Sequence, residues 1–285
     1  MQAGTAGDQD EAIVWKLEVP GQYLVAGPSQ GGKSRLILQL VKNNAKVFAK
    51  PFRNVFYVAP GAGTSDKKYV EELGSACESC GLGFSSRSAP PDVEEIKKSF
   101  PEEEGLLLIL DDLLMFGDYG KELAEISNVA SHHSNITCFY TLQNPFAKTK
   151  LDLVSLTRNL NGRFLLYSLN DFRMFSTIGS SIFPRRASFV EKCVVDARTK
   201  GYNYIFLNTS VRSNLKRENI CYTRLFENEE EGPLFFDLHR FYEDDEDEDD
   251  DGGKDQPGPV RRKRGAPSAD VPASKKRSKR KKLSH

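Results

Sequence analysis

The chain has 285 residues, 39% of them hydrophobic and 28% charged, which is enough apolar content to bury one large core. Its 40 basic and 40 acidic side chains cancel, but an acidic run occupies 243–251 and basic clusters occupy 261–264 and 275–282. The apolar runs are too short to cross a bilayer, and five irregularly spaced cysteines without an apolar leader are typical of a reducing compartment. We therefore expect neither a secreted protein nor one with a membrane partner.

Composition divides the chain into three parts. Residues 1–12 are small and polar, which predicts a flexible arm, whereas 13–242 carry the apolar runs expected of one folded domain. Residues 243–285 hold the acidic run and then a basic tail. We expect this last part to be disordered, because it has too few apolar side chains to form a core.

Predicted strands and helices alternate along the folded part. Apolar runs predict strands at 12–19, 21–27, 54–60, 105–112, 136–143, 162–169 and 202–209. Pro20 and Gly21 separate the first two runs, as expected for a hairpin or for one strand feeding the next. Helical patterns fall at 34–43, 67–72, 93–100, 121–132 and 189–200. This order predicts an α/β fold with a largely parallel central sheet covered by helices on both faces.

The stretch "GPSQGGKS" at 27–34 has the form G-x-x-x-x-G-K-[ST] and joins a predicted strand to a predicted helix. Its glycines allow backbone N–H groups and the positive end of the helix to face phosphate oxygens. Lys33 would reach the β- and γ-phosphates of ATP, and the Ser34 hydroxyl would bind Mg²⁺. The pattern predicts a P-loop NTPase; the alternative is a glycine-rich turn with an exposed lysine. The predicted nucleotide-binding residues are Gly27, Pro28, Ser29, Gln30, Gly31, Gly32, Lys33, Ser34 and Arg35.

Polar side chains end two further predicted strands. Asp111 and Asp112 follow "LLLIL", and a Mg²⁺–phosphate site needs a carboxylate at the end of a neighbouring strand. Asp111 is the candidate metal-holding residue, and Asp112 is the candidate for orienting or deprotonating the attacking water. Gln143 ends "FYTLQ" and could sense the γ-phosphate through that water. The alternatives are that both aspartates cap a turn after a core strand and that Gln143 faces a loop.

Together, "AGPSQGGKS", "LLLILDD" and "SHHSNITCFYTLQNPF" resemble the FtsK/HerA superfamily of P-loop motors. Within it they resemble the viral genome-packaging ATPases of the poxvirus type, which also occur in Polinton-like elements and adintoviruses. The resemblance covers 22–208, and the phrase from the paired histidines to Gln143 is its most specific part. Two positions depart from the family pattern: relatives commonly keep Thr directly before the Gln, and most hydrolysing relatives have Glu where this chain has Asp112.

The resemblance implies an ATPase that moves double-stranded DNA into a capsid, as a homo-oligomeric ring with a capsid or portal-like viral protein as partner. In such rings an arginine of one subunit completes the nucleotide site of the next. Arg158 is the first candidate for this role, followed by Arg163 and Arg173; the alternative is that each is a surface or DNA-facing arginine. Two other functions stay open: a small P-loop kinase, and a nucleotide-gated DNA-binding scaffold without turnover.

Two cysteine and histidine pairs could suggest a metal. His132 and His133 are adjacent, so on a helix their side chains point about 100° apart, and we expect them to end a helix instead. Cys77 and Cys80 form a C-x-x-C motif that lacks a second pair. We expect the surrounding "SACESCGLGFSS" to be a surface loop.

The basic tail "RRKRGAPSADVPASKKRSKRKK" resembles a bipartite nuclear-import signal in a disordered segment. This predicts an import receptor as partner and the nucleus as location, a host nucleus if the protein is viral, with the virion as a second location. The same residues could contact DNA directly, and the acidic run could compete with DNA for them. A solubilising tail is the remaining alternative.

Overall fold

The computed structural model describes residues 16–60, 67–130, 135–144, 158–167, 172–183, 188–199, 204–210, 220–222 and 234–235. The predicted N-terminal arm, the acidic run and the basic tail all lie outside the described residues, as do His132 and His133. The domain boundaries at 12 and 242 therefore stay predictions. No helix in the described part is long and apolar enough to span a membrane.

Nine strands of the described part form one sheet in the order β3-β2-β4-β5-β1-β6-β7-β8-β9. The first six strands of this order are parallel, and β7, β8 and β9 extend the sheet as antiparallel neighbours. The predicted α/β fold with a largely parallel sheet is confirmed. The strands are β1 (Gln22–Ala26), β2 (Asn54–Val58), β3 (Gly83–Arg87), β4 (Leu106–Leu110), β5 (Ile136–Leu142), β6 (Gly162–Leu166), β7 (Tyr204–Asn208), β8 (Ile220–Tyr222) and β9 (Leu234–Phe235).

Helices cover both faces of the sheet, and the central strands are accordingly buried at every position. In β1, Tyr23 and Val25 pack on one side with α1, α2 and α3, whereas Leu24 and Ala26 pack on the other side with the remaining helices. The helices are α1 (Lys33–Lys42), α2 (Asn44–Val47), α3 (Lys67–Ser79), α4 (Val93–Ser99), α5 (Gly120–Ala130), α6 (Phe172–Ile182) and α7 (Ser188–Thr199).

One of the two alternatives for the run before Pro20 is excluded, and the prediction for the segment around Cys77 was wrong. The run before Pro20 does not form a hairpin with β1 in its described part: β1 lies between β5 and β6, and Leu17 instead makes a parallel bridge to Phe48. The segment around Cys77 is not a surface loop. Helix α3 continues past the predicted end at residue 72, and β3 follows it as an edge strand beside β2.

Topology brings the polar ends of three neighbouring strands together. Strand β5 lies between β1 and β4, and all three run in the same direction. The glycine loop follows β1, Asp111 follows β4 and Gln143 follows β5. We call these carboxyl ends of β1, β5 and β4 the loop edge.

Candidate nucleotide-binding site

The glycine loop makes the tight turn from β1 into α1 that its sequence predicts. Gly31 N–H donates to the Pro28 carbonyl at 3.0 Å, and Gly32 takes a left-handed conformation with φ of 99° immediately before α1. A side chain at Gly27 would place its Cβ 2.6 Å from the Cβ of Leu166 in β6. Glycine is therefore required at Gly27 by close packing and at Gly32 by backbone conformation.

Lys33 opens α1 and folds back over the loop. Its ammonium donates to the carbonyl oxygens of Gly27 at 2.8 Å and Pro28 at 2.9 Å. Partial burial lowers the pKa of Lys33, and the negative charges of Asp111 and Asp112 act in the opposite direction. Lys33 thus lies within the electrostatic reach of both carboxylates, at the place where a phosphate would be bound.

The carboxylate of Asp111 is held by two hydroxyl groups. Tyr57 in β2 donates to Oδ2 at 2.6 Å, and Thr141 in β5 donates to Oδ1. The backbone of Asp111 is fixed as well, since its N–H donates to the Val58 carbonyl at 2.8 Å. The carboxylate is therefore oriented from both neighbouring strands.

Asp112 has an unusual backbone conformation at the start of the turn after β4. Its φ of 51° and ψ of 56° lie in the left-handed region, which costs a non-glycine residue about 1–3 kcal/mol. Its N–H is shared between the Thr141 hydroxyl at 2.8 Å and Asp111 Oδ1 at 3.1 Å. Strain of this kind is typical of functional sites, where surrounding contacts hold a side chain in a required direction.

Gln143 is placed beside the glycine loop by strand pairing. Leu142, the last residue of β5, accepts a hydrogen bond from Gly27 N–H at 3.0 Å. Gln143 follows it and is exposed to solvent. The structure thus brings Lys33, Asp111, Asp112 and Gln143 to one edge.

Ser34 is exposed in the first turn of α1. Tyr69 in α3 donates its hydroxyl to the Ser34 carbonyl at 3.0 Å and packs edge-on against Tyr57, with ring centroids 5.6 Å apart. Burial and the charge of Asp111 raise the pKa of Tyr69 well above its usual value, so this hydroxyl stays protonated and available as a donor. Arg35, Ser29 and Gln30 are also exposed around the loop.

The donor set at the loop edge suits Mg²⁺. This ion prefers oxygen ligands and usually keeps several waters while it bridges one or two protein oxygens to phosphates. Ser34 supplies a hydroxyl, and Asp111 supplies a carboxylate whose Oδ2 retains a free lone pair after accepting from Tyr57. These residues fit the predicted metal.

The three candidate arginines lie in different places. Arg158 is exposed and precedes β6, so it lies at the edge of the sheet opposite the loop edge. The two edges are about 16 Å apart, the length of the five residues of β1. Arg163 is half-buried in β6, donates to Thr209 at 3.1 Å and has its pKa lowered to about 10 by burial. Arg173 is exposed near the start of α6. Arg158 therefore lies remote from its own loop edge, whereas the Arg163 guanidinium is hydrogen-bonded within its own chain.

Cys77 and Cys80 stand at the end of α3. Cys77 is buried, which raises its pKa to about 12, and Cys80 is exposed. The buried thiol is therefore mostly protonated near neutral pH and packs as a small apolar side chain.

Tyr57, Thr141 and Tyr69 are site residues that were not predicted from the sequence. Tyr57 and Thr141 stand inside strands that are mostly apolar and buried, so their hydroxyls were indistinguishable from ordinary core positions. Only the pairing of β2 and β5 on either side of β4 places them against Asp111. The one available signal was that both precede a predicted strand end by two or three residues.

No family model matches the sequence, and no curated protein matches it. Among solved structures, the chain is similar to B204, the DNA-packaging ATPase from Sulfolobus turreted icosahedral virus, with 16% identity, a TM-score of 0.43, and 66% of this chain and 92% of that chain covered. It is also similar to the genome packaging NTPase B204 from Sulfolobus turreted icosahedral virus 2 in complex with ATP-gammaS, with 12% identity, a TM-score of 0.36, and coverage of 76% and 96%. A third similar structure is the pCW3 conjugation coupling protein TcpA with ATPgS, with 13% identity, a TM-score of 0.33, and coverage of 72% and 57%.

Proposed function

We propose that this chain is an ATP-hydrolysing motor that translocates double-stranded viral DNA into a capsid. The loop edge is the observation that supports the ATPase part. Three adjacent parallel strands end there, and they are followed by the glycine loop with Lys33, by Asp111 and Asp112, and by Gln143. The packaging part is supported by the resemblance of the stretch that ends in Gln143 to viral packaging motors of the FtsK/HerA superfamily.

In this proposal, the glycine loop and Lys33 bind the phosphates of ATP. Backbone N–H groups of the loop and the N-terminus of α1 face the phosphate oxygens, and the Lys33 ammonium exchanges the carbonyls of Gly27 and Pro28 for the β- and γ-phosphates. Ser34 and Asp111 would hold Mg²⁺, and the ion would supply positive charge against the charge that develops on the phosphoryl oxygens.

Asp112 and Gln143 act on the attacking water. The water oxygen bonds to the γ-phosphorus while the bond to the bridging oxygen of ADP breaks, and the water proton passes to the Asp112 carboxylate. Gln143, at the adjacent strand end, orients this water by hydrogen bonding. The strained backbone of Asp112 holds its carboxylate in one direction before the substrate arrives.

A ring would complete this site. Arg158 is exposed at the edge remote from its own loop, as required of an arginine that acts in a neighbouring subunit. Such an arginine stabilises charge on the transferring phosphoryl group and contributes about 10³ to 10⁵ in turnover. We therefore assign Arg158 to the loop edge of the next copy, with a capsid or portal-like viral protein as the ring's partner.

Double-stranded DNA should accelerate phosphate release from ATP. A small P-loop kinase would release ADP only with a nucleoside or nucleotide acceptor, and a nucleotide-gated scaffold would release no phosphate at all. Phosphate release is measured with DNA, with an acceptor panel and with neither. Turnover that depends on an acceptor and is not changed by DNA would contradict the motor and support the kinase.

The basic tail is proposed to bind a nuclear import receptor and place the protein in the nucleus. Deleting residues 253–285 should therefore move a fluorescently tagged protein to the cytoplasm, because both basic clusters are lost. Deleting only the acidic run at 243–251 is the matched control and should leave the protein nuclear. The import assignment fails if the 253–285 deletion also stays nuclear.

A further inference from the structure

We propose that Tyr57 and Tyr69 are positioning residues that hold the two Mg²⁺ ligands of the site, Asp111 and Ser34, at a fixed separation. This tyrosine pair belongs to β2 and α3, neither of which contributes to the phosphate loop or to the strand ends around it. The inference rests on the proposed function, since it assigns a role at the same nucleotide site.

Tyr57 fixes the carboxylate side of the metal site. Its ring is fully buried, and its hydroxyl donates to Asp111 Oδ2 at 2.6 Å, within the short range of charge-assisted O–H···O⁻ bonds. Thr141 holds the other oxygen, so the carboxylate cannot rotate while both bonds are made. Removing the Tyr57 hydroxyl leaves Oδ2 without this donor, while Thr141 and the Asp112 N–H still hold Oδ1.

Tyr69 fixes the serine side. Its hydroxyl donates to the carbonyl of Ser34 at 3.0 Å, which ties the first turn of α1 to α3. The first turn of α1 carries both the Ser34 hydroxyl and Lys33, so its position determines where a phosphate-bound metal would meet the protein.

Edge-on packing joins the two halves into one unit. The rings of Tyr57 and Tyr69 lie 5.6 Å apart at 70°, a geometry that aromatic pairs favour. A continuous path therefore runs from Asp111 through both tyrosines to Ser34. Mg²⁺ needs this rigidity because it binds in near-ideal octahedral geometry with distances of about 2.0–2.1 Å.

Loss of either tyrosine hydroxyl should selectively weaken the dependence of nucleotide affinity on Mg²⁺. Residues that orient metal ligands typically change metal affinity or activity by about 10–100-fold when mutated. Tyr57→Phe should therefore lower the Mg²⁺-dependent gain in nucleotide affinity by about tenfold, while affinity without metal stays at the wild-type value. Tyr69→Phe should lower the same gain by a smaller factor, since it acts on a backbone carbonyl.

Calorimetric titration of the full chain with ATPγS, in Mg²⁺ and in EDTA, measures this gain without turnover. Tyr140→Phe is the matched control: this tyrosine is also fully buried, but its hydroxyl donates to Gln22 Oε1 at 2.9 Å on the other face of the sheet. It should lower the melting temperature and leave the ratio of the two affinities unchanged.

Two outcomes would overturn the proposal. One is that the ratio of the ATPγS affinity in Mg²⁺ to the affinity in EDTA equals the wild-type ratio in both Tyr57→Phe and Tyr69→Phe. The other is an equal loss of the ratio in Tyr140→Phe, which would show a general effect of weakened packing. If the wild type itself binds ATPγS no better with Mg²⁺, the proposed function fails and not only the role of the tyrosine pair. Should Tyr57→Phe not fold, Tyr69→Phe decides the result, because its hydroxyl bond lies at the surface.

Discussion

Lys33→Ala is expected to lower ATP hydrolysis by about a thousandfold or more while the fold stays intact. The Lys33 ammonium donates to the carbonyls of Gly27 and Pro28, and among the described residues Lys33 is not part of either apolar core cluster. Loss of one preorganised donor to developing negative charge typically costs about 10²–10³ in turnover, and weaker phosphate binding adds to this. Phosphate release and the rise in melting temperature with Mg²⁺ and ATP are the measurements, and both should be lost.

Lys42→Ala is the matched control, because Lys42 is exposed at the opposite end of the same helix. It should retain wild-type turnover and the full thermal shift. Equal turnover in Lys33→Ala and the wild type would remove the glycine loop from the chemistry.

Lys33→Ala also tests whether the protein acts as a ring. Arg158→Ala should bind ATP but lose hydrolysis, and a mixture of Lys33→Ala with Arg158→Ala should recover part of the activity. Recovery follows because some mixed interfaces pair an intact loop with an intact arginine. An Arg158→Ala protein that hydrolyses ATP normally would exclude this arginine from the site.

Asp112→Asn is expected to bind ATP with near wild-type affinity and to hydrolyse it about 10²–10⁴-fold more slowly. Asparagine tolerates the left-handed backbone found at this position, so the substitution keeps the turn and removes only the basic carboxylate. Binding relies on the loop and the metal, whereas positioning and deprotonating the water is a task of the transition state.

Asp111→Asn is the comparison for this variant and should fail differently. It removes the negative charge offered to Mg²⁺ and weakens the hydrogen bonds from Tyr57 and Thr141, so nucleotide affinity in Mg²⁺ should fall together with turnover. Single-turnover kinetics and ATPγS titration separate the two effects. Wild-type hydrolysis by Asp112→Asn alongside inactive Asp111→Asn would mean that the roles are assigned wrongly.

Local sequence patterns were sufficient to predict the loop and most of the central strands. The glycine loop is a contiguous motif whose turn and helix start depend on its own residues, such as Gly32 with its positive φ. The runs at β4 and β5 are mostly apolar and buried at every position, as expected of parallel strands covered on both faces.

Strand β3 and the extension of α3 were missed for physical reasons. Strand β3 reads GFSSR and stands at an edge with one neighbour, so it needs little apolar side-chain burial and lacks a strand-like pattern. The small and polar residues Gly74, Ser75 and Ser79 weaken the helical pattern of α3, but Leu73, Ala76 and Cys77 are buried and hold the helix on the sheet.

The contacts of the site depend on strand order, which local sequence does not specify. Because β5 lies between β1 and β4, Thr141 can hydrogen-bond to Asp111 and Leu142 can hydrogen-bond to Gly27. The positions of Tyr57 and Tyr69 likewise follow from long-range pairing and helix packing. The sequence therefore predicted which polar residues follow the strands, but it did not predict which hydroxyl groups orient those residues.

Displacement of a third DNA strand from a duplex is the measurement that tests the motor most directly. A short oligonucleotide is bound as a triplex at one end of a long duplex, and its release is followed after ATP is added. We predict that the wild-type protein displaces the third strand in the presence of ATP and Mg²⁺, and that Lys33→Ala and Asp112→Asn do not. DNA-stimulated phosphate release without any displacement, or displacement that needs no ATP, would contradict the conclusion that this chain moves double-stranded DNA by hydrolysing ATP.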